Sequence, residues 1–190
     1  MTTEPVPDAE LKKIDVLVLG LGNVLLGDDG LGAAAVARLE RNYRVPAGVH
    51  LEDGGTLGLS LLGLIAESDH VILVDAIQAD SPAGTLIRVA GADVSDAVRD
   101  RLSPHQLGVA DLLEAARLIE SYPATVTLLG LVPDSIDLSV ARSSVVADRL
   151  DELVAAIVRE VQSLGYTMVL DPDSVDQDRP IHNLARHFGM

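Results

Sequence analysis

The feature that most constrains this chain is an alternation of short apolar runs with longer helical stretches. Ile14–Leu19 is rich in β-branched residues and stops at Gly20-Leu21-Gly22-Asn23, so it reads as a buried strand followed by a turn. Val49–Glu52 is a second strand, broken by Asp53-Gly54-Gly55-Thr56, and Val71–Val74 is a third, ending at Asp75. Gly84–Val89 and Thr125–Leu131 complete five strands. Helices are expected from about Asp28, where Leu31, Ala34, Ala35, Ala37, Arg38 and Leu39 suit one, and over Leu57–Ala66, Gln106–Glu120 and Ser144–Leu164. Strands that alternate with helices imply an α/β fold: one doubly wound, mostly parallel five-stranded sheet with helices on both faces. The fourth strand is reached through Pro82-Ala83-Gly84, which is too short for a crossover helix, so it is expected to run antiparallel. The domain should span residues 14–170, after an N-terminal extension (1–13) and before a loosely held, acid-rich tail (171–190).

The core must be aliphatic, because 48% of the residues are hydrophobic but only three Tyr and one Phe are aromatic. Such a core suits parallel strands buried under helices. The 14 Lys and Arg against 29 Asp and Glu give a net charge of −15. That argues against nucleic acid and anionic membranes as partners, since both demand cationic surface. The absence of Cys removes disulfides, thiolate metal sites and a thiol nucleophile. Glu4, Asp8 and Glu10 make the N-terminus unlike a signal peptide, and Val16–Leu19 and Val71–Val74 are too short to span a bilayer. A soluble, cytoplasmic protein is expected.

Several familiar motifs are incomplete. Gly20-Leu21-Gly22-Asn23-Val24-Leu25 begins like a dinucleotide fingerprint, but Leu25 stands where the third Gly belongs. Gly22–Gly27 has phosphate-loop spacing, yet Asp28 follows where a Lys is needed. Gly58-Leu59-Ser60-Leu61-Leu62 lacks the second Gly of a nucleophile elbow, and no His-Glu-x-x-His occurs.

What remains is a constellation of loop residues. Asp29 lies just after the first strand, Asp75 at the end of the third, and His105 in the loop opening a later helix. In open α/β sheets ligands bind beyond the carboxyl ends of the strands, which is the address all three share. Asp28 reads as a helix N-cap, which leaves Asp29 to be explained; Asp75 also suits a turn. Ser103-Pro104-His105-Gln106 reads as a capping box, placing His105 in a first helical turn where the dipole keeps imidazole neutral. His50, His70, His182 and His187 have no such context and are assigned no role. Two carboxylates and one imidazole would take a borderline divalent ion such as nickel or zinc and leave positions open for substrate or water.

The run Val18-Leu19-Gly20-Leu21-Gly22-Asn23-Val24-Leu25-Leu26-Gly27-Asp28-Asp29-Gly30-Leu31-Gly32 closely resembles the N-terminal signature of the hydrogenase maturation endopeptidases. Asp53-Gly54-Gly55-Thr56, Val74-Asp75-Ala76, Ser103–Gly108 and Gly130-Leu131-Val132-Pro133 resemble later family motifs in the same order, covering roughly Ile14 to Gly165. The resemblance implies an endopeptidase that removes the C-terminal extension of a nickel-loaded [NiFe]-hydrogenase large-subunit precursor. Nickel would be supplied by that precursor and would act as a checkpoint. Asp29, Asp75 and His105 would contact it, with Asp29 and Asp75 as catalytic candidates. Many relatives carry Glu at the first position, one methylene longer than Asp29. Asp53 is a possible assistant, although a turn role suits it better. The competing functions are a non-catalytic nickel-sensing chaperone of the precursor and a small-molecule hydrolase or nucleotide-binding enzyme on the same fold.

Overall fold

The structure, a computed structural model, describes residues 14–101 and 107–172. The N-terminal extension, the capping box Ser103–Gln106 with His105, and the tail from residue 173 lie outside the described residues.

Five strands form one sheet: β1 (Ile14–Leu21), β3 (Val49–Gly55), β4 (Ser68–Ala76), β5 (Leu86–Ala90) and β6 (Thr125–Leu131), in the order β3-β1-β4-β6-β5. β1 pairs in parallel with both β3 and β4, and β4 in parallel with β6. As expected, β5 is antiparallel, and its partner is β6. The segment between β4 and β5 crosses the carboxyl end of β6, where Ile77 N–H donates to Leu131 O (3.0 Å) and Gly84 N–H to Val132 O (2.8 Å). A separate two-stranded ribbon pairs β2 (Tyr43–Arg44) with β7 (Val169–Leu170), and was not anticipated.

The strands alternate side chains between two aliphatic cores, one on each face. Val16, Val18, Ile72 and Val74 pack against α1 (Leu31–Asn42) and α5 (Ser144–Ser163). Leu17, Leu19, Val71 and Leu73 pack against α2 (Leu62–Ala66), α3 (Asp93–Arg101) and α4 (Leu107–Leu118). Helix α3 was not anticipated from the sequence. It buries Val94, Ala97 and Val98, an i, i+3, i+4 stripe too short to stand out among its charges. The expected helix over Leu57–Ala66 instead opens with a 3-10 turn, Gly58–Leu61, before α2.

Helix α1 approaches the sheet closely because two glycines meet. A Cβ on Gly20 or Gly32 would collide with the other element's backbone. The glycine that permits close helix–strand packing is therefore Gly32, not the position of Leu25. On the far side, Arg88 of β5 grips Glu160 of α5 through two bonds (2.9 and 2.8 Å), and Thr127 of β6 donates to the same carboxylate (3.1 Å). No helix among the described residues is long and apolar enough to cross a membrane.

Candidate active site

From β1 the chain moves through α1 to β3 on one side, then through α2 to β4 on the other. The topological switch point thus falls between β1 and β4, and a crevice opens beyond their carboxyl ends. Asp29 and Asp75 both lie there. Asp75 is the residue after Val74 on β4 and pairs in register with Gly130 of β6. Asp29 lies in a 3-10 turn, Gly27–Gly30, that enters α1. Gly22 lies against both residues. Its φ of 110° is open only to glycine, and a Cβ there would collide with the Asp29 carbonyl while lying 3.5 Å from Asp75 Oδ1.

The two carboxylates are almost completely buried, at 1% exposure for Asp29 and 0% for Asp75. Asp29 Oδ2 accepts from the backbone N–H of Asn23 at 2.8 Å. Asp29 Oδ1 is buried and has no hydrogen-bond partner among the described residues. Asp75 Oδ1 accepts from the N–H of Ala76 at 2.7 Å. A carboxylate oxygen held away from water without a donor costs about 1–3 kcal/mol or more. A divalent cation bound at such an oxygen would offset that cost. The donor set therefore suits a hard or borderline metal ion. Among the described residues no third His or acid joins this pair.

Asp28 is not the N-cap expected from the sequence. It lies inside the 3-10 turn, which has no side-chain cap, and its buried carboxylate points to the loop after β6. Oδ2 accepts from Asp134 N–H (2.9 Å), Ser135 N–H (3.1 Å) and the Ser143 hydroxyl (2.9 Å), while Oδ1 accepts from Ser143 N–H (2.7 Å). Burial is the largest single influence on its pKa and pushes it up. The bonds from Ser135, Ser143 and Asp134 together outweigh burial and hold it below the ordinary carboxylate range. Ser143 is itself the N-cap of α5, accepting from Val146 N–H at 3.3 Å. Asp28 thus fixes the start of α5 to the start of α1, and its negative charge lies favourably near the α5 N-terminus.

Asp53 is exposed and accepts from Gly55 N–H at 3.1 Å, the turn role that suited it. His50 contacts Glu52 (3.1 Å) and His70 contacts Thr125 (2.8 Å), so neither joins the carboxylate pair. Sequence reasoning missed the loop Val132–Arg142 as part of the site's frame. Its only signal was the run of Asp and Ser at 134, 135, 137 and 139, which suits side-chain-bonded turns.

The structure defines an open α/β protein with paired buried carboxylates at the switch point of its sheet. A family model described as hydrogenase maturation protease matches residues 33–160, and the chain belongs to that family. It is 38% identical over 155 residues to the hydrogenase 2 maturation protease of Escherichia coli, covering 81% of this chain and 94% of that protein. It is 33% identical to the hydrogenase expression/formation protein HupD of Rhodobacter capsulatus, covering 92% and 90%. Among solved structures, the hydrogenase maturating endopeptidase HybD from E. coli superposes with a TM-score of 0.80 at 34% identity, covering 84% of this chain and 99% of that one. The hydrogenase maturation protease HybD of Thermococcus kodakarensis gives 0.66 at 26% identity, covering 77% and 98%. The chain is a peptidase of hydrogenase maturation, which removes the grounds for a nucleotide enzyme.

Proposed function

We propose that this peptidase removes the C-terminal extension of a [NiFe]-hydrogenase large-subunit precursor after nickel has been inserted, with the precursor's nickel as its licence to cut. The observation that carries this reading is the contrast within one dipeptide: Asp28 is saturated with donors, while Asp29 Oδ1 is buried and has no partner among the described residues. A bare buried carboxylate oxygen beside a second buried carboxylate is a costly arrangement that a substrate-borne cation would satisfy. Asp29 and Asp75 would supply oxygen ligands and His105 a nitrogen. Nickel is substrate here, delivered with the precursor and leaving with the product.

Peptide hydrolysis needs water activated against a polarised carbonyl. Nickel brought in by the precursor would supply the polarisation, and Asp75 or Asp29 would take the proton from the attacking water. Asp75 sits on a strand and would be the better-fixed base, while Asp29 would hold the metal from the turn. The test is a processing assay. The purified protein is mixed with the large-subunit precursor of its own organism, with and without nickel, and the product is weighed by mass spectrometry. Loss of the C-terminal peptide only in the nickel-loaded sample is expected. Equal cleavage without nickel would overturn the checkpoint, and binding without cleavage would overturn the proposed reaction on this client.

A further inference from the structure

The buried carboxylates are ringed by exposed apolar side chains. Val24 and Leu25 follow β1, Leu57 and Leu59 follow β3, and Leu138 and Val140 follow β6. All three segments leave the carboxyl edge of the sheet. Backbone bonds tie them to one another: Gly22 N–H donates to Gly55 O (3.1 Å), Ser139 N–H to Leu25 O (2.9 Å) and Gly27 N–H to Ser139 O (2.6 Å).

Leu138 and Val140 are the most exposed of the six, at 85% and 81%. They flank Ser139, which forms a parallel bridge with Leu26. Ser139 between them is engaged with its own loop: its hydroxyl donates to Ala141 O (2.9 Å) and accepts from Ala141 N–H (3.0 Å), which holds the bend that carries both exposed side chains. The loop that carries them is not loosely attached. Its base is fastened by the four bonds to Asp28, and Asp28 N–H donates to Ser135 O (3.1 Å). A rigid backbone presenting large apolar side chains to water is organised in advance for an apolar partner.

We infer that this loop is the docking strap for the precursor's C-terminal extension, which it grips as an extended, apolar peptide through Leu138, Val140 and the adjoining Leu25. The inference rests on the proposed function and names how that substrate is held. The occupant follows from continuity. Leu138, Val140 and Leu25 stand on segments that leave the carboxyl edge of the sheet, the edge where Asp29 and Asp75 lie, so a peptide brought to those carboxylates has this apolar surface next to it. Asp28 is then a positioning residue that acts through the strap.

The experiment measures binding of a fluorescently labelled peptide comprising the complete extension of the host's large-subunit precursor, by anisotropy, without nickel. Leu138→Ser with Val140→Ser should raise the dissociation constant about tenfold or more, as expected for losing buried leucine- and valine-sized contacts. Leu118→Ser is the matched control, because Leu118 is equally exposed at 85% but ends α4 at the opposite edge of the sheet; its affinity should be unchanged. Circular dichroism of each variant establishes that it folds. In the processing assay the strap variant should raise KM with kcat preserved. Weakened peptide binding in a chain that cuts nothing would support the strap and sink the proteolytic reading. Parental peptide affinity in the strap variant would overturn the strap and leave the proposed function standing. An equal loss of affinity for mature subunit lacking the extension would also overturn it, because the surface would then grip the body of the subunit. So would a dimer, detected by sedimentation, that the strap variant breaks.

Discussion

Asp28 and Asp29 are covalent neighbours, equally buried, and opposite in their surroundings. Asp28 meets three backbone N–H groups and a hydroxyl, all from the loop after β6 and the start of α5. Asp29 meets one backbone N–H from Asn23, and its second oxygen meets none among the described residues. One carboxylate fastens distant segments of chain; the other has an oxygen that no described residue satisfies. Folding alone would favour saturating both, and the oxygen left without a donor among the described residues is what supports the proposed role of Asp29.

That contrast can be broken by exchanging each acid for its amide. Asp29→Asn and Asp75→Asn should each lower the cleavage rate by about 10²- to 10⁴-fold, the range for removing a positioned acid–base group. Asp29→Asn should not destabilise the fold and should, if anything, raise unfolding free energy, because it removes a buried charge that lacks a donor on one oxygen among the described residues, while Asp75→Asn should leave the chain folded. Full-rate cleavage by Asp75→Asn would remove it from both recognition and chemistry. Gly22→Ala should strike both regions. The positive φ and the collision with the Asp29 carbonyl should cost about 3–4 kcal/mol in urea unfolding, and activity should fall because the turn that carries Asp29 must shift. Asp28→Asn turns an acceptor into a donor facing donors, so it should destabilise by about 2–3 kcal/mol. Its cleavage defect should appear mainly in KM, through the displaced strap.

These regions differ in how far the sequence reveals them. Asp29 and Asp75 were placed together by a local rule: an apolar run ending at a turn marks the carboxyl end of a strand, and parallel strands bring those ends to one edge. The role of Asp28 was hidden because its partners lie 106 to 115 residues away, and nothing local distinguishes a carboxylate that caps its own helix from one that fastens another. The same distance hid the strap. Leu138 and Val140 read as ordinary apolar loop residues until the bridge between Leu26 and Ser139 sets them beside the site. Helix α3 was missed for the opposite reason. Its pattern is local, but three buried residues in a charged stretch carry little periodicity. The ribbon of β2 with β7 depends on two-residue strands, which have no period to read.

Glu160 sharpens the comparison as a second saturated carboxylate, remote from the carboxyl edge. Its side chain is mostly buried and accepts from Arg88 and Thr127. The hydrogen bonds from Arg88 are the largest influence on it and lower its pKa, burial opposes them, and the Arg88 charge and Thr127 add to the lowering. A carboxylate whose folded pKa lies below its unfolded value contributes stability above the unfolded pKa and loses it as pH falls through the folded one. Glu160→Gln should therefore cost about 1 kcal/mol near neutral pH, a modest value because Arg88 is half exposed and the pair is screened. The cost should shrink as pH falls through the ordinary carboxylate range and then through the lower folded value, where the parental chain protonates too. Urea unfolding of both chains from neutral to acid pH measures it, with the two curves converging at the acid end. Cleavage by Glu160→Gln should match the parent at neutral pH. A rate loss like that of Asp29→Asn would show that donor saturation does not separate the carboxylates that hold the fold from those that do the chemistry.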